Sequence, residues 1–196
     1  DRTHAAAQSA GLADAGYVVA TVEYRRGDRE RLLADVRSAL DAAPHLAAQA
    51  APGRVDAGRV VLVGHSAGGH LALQAAATLE PPHTPAGVLG LAPVADLRLA
   101  QELGLGEDAV RAFLGDDAAA RADLDPVVLP TPPGAVRIVH GTGDGIVPIE
   151  VSESYAARHP GTALLRVDCG HFAVIDPRSS AWPTVLGALG GIASAA

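Results

Sequence analysis

The chain has 196 residues, of which 48% are hydrophobic, and its formal net charge at pH 7 is −7. This length predicts a single domain over residues 1–196, and an acidic chain without a basic run argues against a nucleic-acid partner. A transmembrane helix needs about 18 consecutive apolar residues, and no stretch of the sequence is that long. No signal-peptide pattern is visible either. We therefore expect a cytoplasmic protein without a membrane partner.

Strands and helices alternate along most of the sequence. Apolar and β-branched runs predict strands over residues 17–24, 59–63, 86–92, 135–140 and 163–167. Helical spacing predicts helices over residues 5–15, after Asp28, and over 70–79, 148–158 and 178–190, with a kink or an end at Pro44. The alternation predicts βαβ units and therefore a mostly parallel sheet flanked by helices.

Residues 96–133 interrupt this alternation with short helical pieces, several acids and a Pro-rich stretch. We expect them to form a cap-like insertion over one edge of the sheet. Four of their apolar side chains are candidates for lining a substrate pocket, although the core is the commoner place for such residues: Leu99, Leu103, Leu105 and Phe113. The substrate-binding residues are otherwise not identified. Trp182, on the last predicted helix, is expected to pack against the sheet.

Gly64-His65-Ser66-Ala67-Gly68 lies between an apolar strand and a helix. A G-x-S-x-G pattern in this context is typical of a nucleophile elbow, a strained turn that projects a serine hydroxyl outward. Positions 64 and 68 are both glycine, and we expect that a side chain at either position would collide with the neighbouring strand or helix. The alternative is a Gly-rich turn that carries a spare serine.

A serine nucleophile needs a base, and the base needs an acid that orients it; in this architecture the acid follows the serine and the base comes last. Asp144 and His171 each follow a late strand, so both are predicted at the carboxyl edge of the sheet. Asp96 is the rival acid. Asp168 and Asp176 flank His171, but this closeness in sequence does not position them to orient its ring.

The remaining candidate ligands do not form a metal motif. His65 and His70 are five residues apart, a spacing that does not place them on one face of a helix, so we expect no metal and no other cofactor. His140 ends a strand and is expected to be structural. Cys169 is the one cysteine, which excludes an intrachain disulfide, and it is expected to be a small buried apolar residue.

These motifs resemble those of the α/β-hydrolase superfamily. Residues 64–73, Gly-His-Ser-Ala-Gly-Gly-His-Leu-Ala-Leu, resemble the carboxylesterase, acetyl-esterase and kynurenine-formamidase-like group, and residues 140–148 and 170–172 match its acid and base motifs. The run 16–25 also resembles the strand that precedes the elbow in that group. The resemblance covers residues 10–190 and implies the α/β-hydrolase fold.

The chain departs from this family at one motif. The family carries His-Gly-Gly on a strand and loop before the segment that starts here, and the 196 residues contain neither that triplet nor any Met. We therefore expect an N-terminally truncated form of the fold. Because the family places that strand between the strands matching 17–24 and 59–63, we expect either a gap of one strand or direct pairing of those two segments.

The resemblance implies a serine hydrolase that cleaves a small carboxylic ester or an aryl formamide through an acyl-enzyme on Ser66. It implies Asp144 and His171 as acid and base, the Ala67 N–H as the assignable oxyanion donor, a small-molecule substrate and no cofactor. Two alternatives remain open. One is a catalytically impaired member of the family with a binding role, and the other is a peptidase of the prolyl-oligopeptidase type, which shares the acid and base motifs.

Overall fold

The computed structural model of the chain describes residues 3–80 and 84–194. In these residues four strands form one sheet, and seven α-helices accompany it. The strands are β1 (Val61–His65), β2 (Gly87–Leu91), β3 (Ala135–Gly141) and β4 (Ala163–Val167). The helices are α1 (Ala6–Asp14), α2 (Arg29–Ala50), α3 (Ala67–Thr78), α4 (Leu97–Glu102), α5 (Ala109–Leu114), α6 (Glu150–Arg158) and α7 (Trp182–Ala193). The expected α/β fold with a parallel sheet flanked by helices is confirmed.

All four strands run parallel, in the spatial order β1-β2-β3-β4. Parallel neighbours need crossover connections. These are supplied by α3 between β1 and β2, by residues 92–134 between β2 and β3, and by α6 between β3 and β4. The carboxyl ends of the strands therefore meet at one edge, and the loops that carry Ser66, Asp144 and His171 all leave the sheet there.

Apolar clusters cover both faces of the sheet, as continuous apolar strands require. One cluster joins α7 to the inner strands and includes Trp182, Val185 and Leu89. The other packs α3 against the opposite face and includes Leu73 and Ile138, both fully buried. Burial of this apolar surface, at about 25 cal/mol per Å², is the main term that holds helices and sheet together. The expected packing of Trp182 against the sheet is confirmed.

Residues 96–133 build a third apolar cluster from α4, α5 and a 3₁₀ turn over Ala118–Leu124. Among the four apolar pocket candidates, Leu105 and Phe113 pack against this cluster, whereas 48% of Leu103 is exposed. The buried carboxylate of Asp125 accepts hydrogen bonds from the backbone N–H groups of Leu97 and Arg98 and so attaches the turn to α4. A role of this segment as a cap stays a prediction.

The prediction of a strand over residues 17–24 is wrong. Residues 17–25 form no regular element, and β1 pairs with β2 alone among the described residues. Direct pairing of this segment with β1, one of the two arrangements expected, does not occur. β-branched residues favour strands, but a strand forms only beside a hydrogen-bonded neighbour. Tyr17 and Val19 nevertheless pack against the cluster that contains α7.

Helix α2 begins at an Asp28 N-cap, whose carboxylate accepts from the Arg31 N–H at 3.1 Å, and continues past Pro44 to Ala50. Of the two outcomes expected at Pro44, the end of the helix does not occur. Helix α3 starts at Ala67, three residues before its predicted start at His70.

The turn between β1 and α3 depends on close backbone contact. A Cβ at position 64 would lie 2.1 Å from the carbonyl oxygen of Gly68, so glycine is the residue that fits there. At position 68 a Cβ would meet no described atom within 4 Å, so the expectation that Gly68 is sterically required is wrong. The second close approach is at Gly69 instead, where a Cβ would lie 2.6 Å from the Cβ of Pro93.

Gly64→Ala should lower the free energy of unfolding by about 3 kcal/mol, because the backbone of the turn must move to admit the methyl group. Gly68→Ala is the matched control and should leave stability unchanged or raise it by up to about 1 kcal/mol, since alanine is the better helix former. Urea denaturation followed by circular dichroism measures both values. Equal losses in the two variants would contradict this account of the turn.

Candidate active site

Ser66 occupies the strained turn that its sequence context predicts. It follows the last residue of β1, precedes α3, and has φ 54° and ψ −119°, a conformation that costs a non-glycine residue about 1–3 kcal/mol. Three backbone hydrogen bonds hold it there. Its N–H donates to the Leu91 carbonyl at 2.9 Å, and its carbonyl accepts from the N–H groups of His70 (3.1 Å) and Val94 (3.2 Å). The end of β2 and the first turn of α3 thus determine the conformation of Ser66.

Asp144 and His171 form a buried pair. The Nδ1–H of His171 donates to Asp144 Oδ2 at 2.6 Å, and the exposed fractions of the two side chains are 4% and 0%. The other carboxylate oxygen, Oδ1, accepts from the backbone N–H groups of Ile146 (2.8 Å) and Val147 (2.9 Å). The loop after β3 therefore fixes the carboxylate, and the carboxylate fixes the tautomer and the orientation of the imidazole.

The pKa of Asp144 lies below its ordinary value. Burial raises the pKa, but the hydrogen bonds from His171 and from the two backbone N–H groups outweigh it. Asp144 is therefore ionised at neutral pH, and its charge is available to stabilise an imidazolium on His171.

Asp96, the rival acid, has other partners. It caps α4 by accepting from the Leu99 N–H at 2.8 Å, and its second oxygen accepts from the Ser154 hydroxyl at 2.5 Å. Asp176 pairs with Arg178, and Asp168 is exposed. The structure thus brings His171 together with Asp144 and with none of the other three acids.

His140 holds the loop that carries Asp144. Its ring is fully buried; its Nε2–H donates to the Val147 carbonyl at 2.9 Å, and its Nδ1 accepts from the Ser152 hydroxyl at 2.7 Å. Burial lowers the pKa of His140, so the ring is neutral in this position. These contacts agree with the structural role expected for it.

His65 contacts the loop that carries His171, a contact that no motif in the sequence predicts. The Nε2–H of His65 donates to the backbone carbonyl of His171 at 3.0 Å, and the two ring centroids are 4.5 Å apart. The one signal for it in the sequence is the position of His65 directly before Ser66. This contact brings the turn at Ser66 beside the loop at His171. Within the described residues, no hydrogen bond joins Ser66 Oγ to the His171 ring, a contact that is often long before substrate binds.

The first N–H groups of α3 are the available donors for a negative charge beside Ser66. The first turn of a helix leaves N–H groups without intrahelical acceptors, and the helix dipole adds positive potential there. Ala67 is the first residue of α3 and is exposed. Its N–H therefore has no acceptor within the helix and lies next to Ser66 in the chain.

Other residues around the site carry little further chemistry. Cys169 is half-buried against the cluster that contains α7, and burial raises the pKa of its thiol. In residues 3–80 and 84–194, no group of three or more His, Cys, Asp or Glu side chains could hold a metal ion.

None of the described helices combines the length and the apolar character that crossing a membrane requires.

Comparisons with known proteins give one family and several related structures. A family model described as alpha/beta hydrolase fold matches residues 2–125. A search of curated protein sequences gave no match. A thermophilic esterase from Thermogutta terrifontis has 23% identity and a TM-score of 0.62 over 86% of this chain and 67% of its own.

Two further structures have higher TM-scores. Esterase B from Lactobacillus rhamnosis, solved with a tributyrin phosphonate, has 20% identity and a TM-score of 0.75 over 100% of this chain and 72% of its own. A truncated carbohydrate esterase from gut microbiota has 16% identity and a TM-score of 0.75, over 96% and 78% respectively. At these identities the likeness establishes the fold.

His70 makes the stability of this region depend on pH. It lies on α3 against Phe113 and is 4% exposed; burial lowers its pKa to about 4, and a weak backbone interaction with Val94 offsets only part of this. The unfolded chain, with a histidine pKa of about 6.5, therefore binds a proton that the folded chain does not. The free energy of unfolding should fall as pH is lowered from about 6.5 to 4.

His70→Phe should remove up to about 3 kcal/mol of this fall, since each unit of pKa shift is about 1.4 kcal/mol. Urea denaturation at a series of pH values measures the slope. His45→Phe, at an exposed position on α2, is the control that should keep the full slope. A His70→Phe protein with an unchanged slope would contradict the assignment.

Proposed function

The chain belongs to the α/β-hydrolase family, and from this premise we propose that it is a serine hydrolase acting on a small carboxylic ester. The observation that carries the proposal is the buried 2.6 Å hydrogen bond between His171 and Asp144, at the sheet edge where Ser66 sits in a strained turn. A histidine oriented by an ionised carboxylate beside a serine is the arrangement that activates a hydroxyl nucleophile.

In the proposed mechanism, Ser66 Oγ attacks the ester carbonyl while His171 Nε2 accepts the hydroxyl proton. Asp144 stabilises the resulting imidazolium, and the Ala67 N–H donates to the carbonyl oxygen as it becomes negative. The tetrahedral intermediate collapses to an acyl-enzyme, and His171 returns the proton to the departing alcohol. Water then attacks the acyl group with the same base, which releases the acid and restores Ser66.

An ester is favoured over an aryl formamide as substrate. The three structures compared above are named as esterases, and none of those names mentions a formamide. Both substrates would pass through the same tetrahedral chemistry at Ser66, so the formamide remains the second substrate class.

A catalytically impaired hydrolase fold is the second candidate function. The observation that favours it is at the start of α3, where the N–H of Ala67, next to Ser66, is the one oxyanion donor assignable among the described residues. Loss of a single such donor costs about 3–4 kcal/mol in the transition state, so binding without efficient turnover is its expected behaviour.

A fluorophosphonate probe should label the chain on Ser66, and the label should be lost in Ser66→Ala. Ser38→Ala, at an exposed position on α2, is the control that should keep it. Intact-mass spectrometry measures the labelling, and p-nitrophenyl acetate measures turnover. Label with turnover supports the hydrolase, and label without turnover supports the impaired fold. A label retained in Ser66→Ala would contradict both.

Asp144→Asn should lower kcat by about 10⁴-fold, because an asparagine leaves the imidazole of His171 in the wrong tautomer. The free energy of unfolding should change far less than kcat. Asp96→Asn is the matched control, and its main effect should be on stability, because Asp96 caps α4 and accepts from Ser154. A large loss of kcat in Asp96→Asn together with normal turnover in Asp144→Asn would reassign the acid.

A further inference from the structure

Ser66 and His171 follow the two outermost strands of the described sheet. Ser66 follows β1 and His171 follows β4, and β2 and β3 lie between them. Neighbouring strands are about 4.8 Å apart, so these two strands are separated by about 14 Å and share no ladder hydrogen bond. Other contacts must therefore hold the loop after β4 close to the turn at Ser66.

Two contacts attach this loop to the loop after β3. The Gly143 N–H donates to the Cys169 carbonyl at 3.1 Å, and the His171 ring donates to Asp144. Neither contact reaches the turn at Ser66. Among the hydrogen bonds between described residues, one joins the turn at Ser66 (residues 64–69) to the loop after β4 (residues 168–173). In it, the Nε2–H of His65 donates to the His171 carbonyl.

The chemistry of this contact determines the tautomer of His65. A carbonyl oxygen accepts hydrogen bonds, so Nε2 carries the proton, and Nδ1 accepts from the Nε2 of His4 at 3.4 Å. Burial is the main cause that lowers the pKa of His65 to about 4, and the neighbouring His171 ring lowers it further. His65 is therefore neutral at pH 7 and places no positive charge beside the imidazolium that forms on His171.

We propose that His65 is a positioning residue, which holds the backbone of His171 over the sheet and thereby sets the distance between the His171 ring and Ser66. This inference rests on the proposed serine hydrolase. The carboxylate of Asp144 fixes the orientation of the ring, and His65 fixes the loop that carries it. Without the His65 N–H, the loop can move away from Ser66, and a displacement of about 1 Å can cost about 100-fold in rate.

Two substitutions at His65 separate the hydrogen bond from the bulk of the ring, and a third variant is the control. His65→Phe keeps a planar ring and removes the N–H, His65→Gln keeps an N–H donor without the ring, and His45→Phe removes an exposed histidine elsewhere. His65→Leu is a second variant without a donor, to be used if the phenylalanine variant does not fold. Circular dichroism and urea denaturation show which variants fold.

The first readout is turnover of p-nitrophenyl acetate. His65→Phe should lower kcat by about 10–100-fold and change KM by less than about threefold, because the positioned base acts on the chemical step. His65→Gln should recover most of kcat, and His45→Phe should match the unsubstituted chain. A fall that His65→Gln does not recover, in a folded variant, would overturn the proposal.

The second readout does not require turnover. The proton between His171 Nδ1 and Asp144 can be followed by NMR through its exchange with water, and Asp144→Asn assigns it. In His65→Phe the exchange should be at least about tenfold faster, and in His65→Gln close to that of the unsubstituted chain. Unchanged exchange in His65→Phe would overturn the proposal. An inactive chain that shows the expected exchange pattern would contradict the proposed function and still support the positioning role.

Discussion

The parallel direction of β1, β2, β3 and β4 is the constraint on which the rest of the molecule depends. Parallel strands require crossovers, so every strand ends at the same edge and each connection returns across a face of the sheet. Ser66, Asp144 and His171 are far apart in sequence, yet each follows a strand and so belongs to this one edge. Apolar clusters cover both faces of this sheet. The strand topology therefore brings these three residues to one edge of the sheet independently of their side-chain contacts.

Within that edge, burial divides the histidines into different roles. Burial lowers the pKa values of His65, His70 and His140, so these three rings are neutral at pH 7. His140 is neutral even though its Nε2 lies 3.4 Å from Asp144 Oδ2, because burial outweighs this interaction. His171 instead donates to the ionised carboxylate of Asp144. The four rings therefore differ in role: His171 donates to a carboxylate at 2.6 Å, and the other three serve as neutral hydrogen-bond or packing groups.

Much of this architecture follows from the sequence. Apolar runs placed four of the five predicted strands, and glycine at 64 before a serine identified the strained turn, because a Cβ there would collide with backbone. Turn residues after two strands identified Asp144 and His171 as partners. These features are local: each depends on residue type, on periodicity, or on a backbone conformation that few residues adopt.

Tertiary structure decided the features that depend on a neighbour. Residues 17–25 have the composition of a strand and form none, because they pair with no described strand. Gly68 matches the motif, but only the packing shows that space is open there and that the close approach is at Gly69. The contact between His65 and His171 joins residues 106 positions apart, so no local pattern could have predicted it. The sequence by itself determined where four strands lie along the chain and which residues form the turn, whereas pairing and hydrogen-bond partners depended on which segments meet in space.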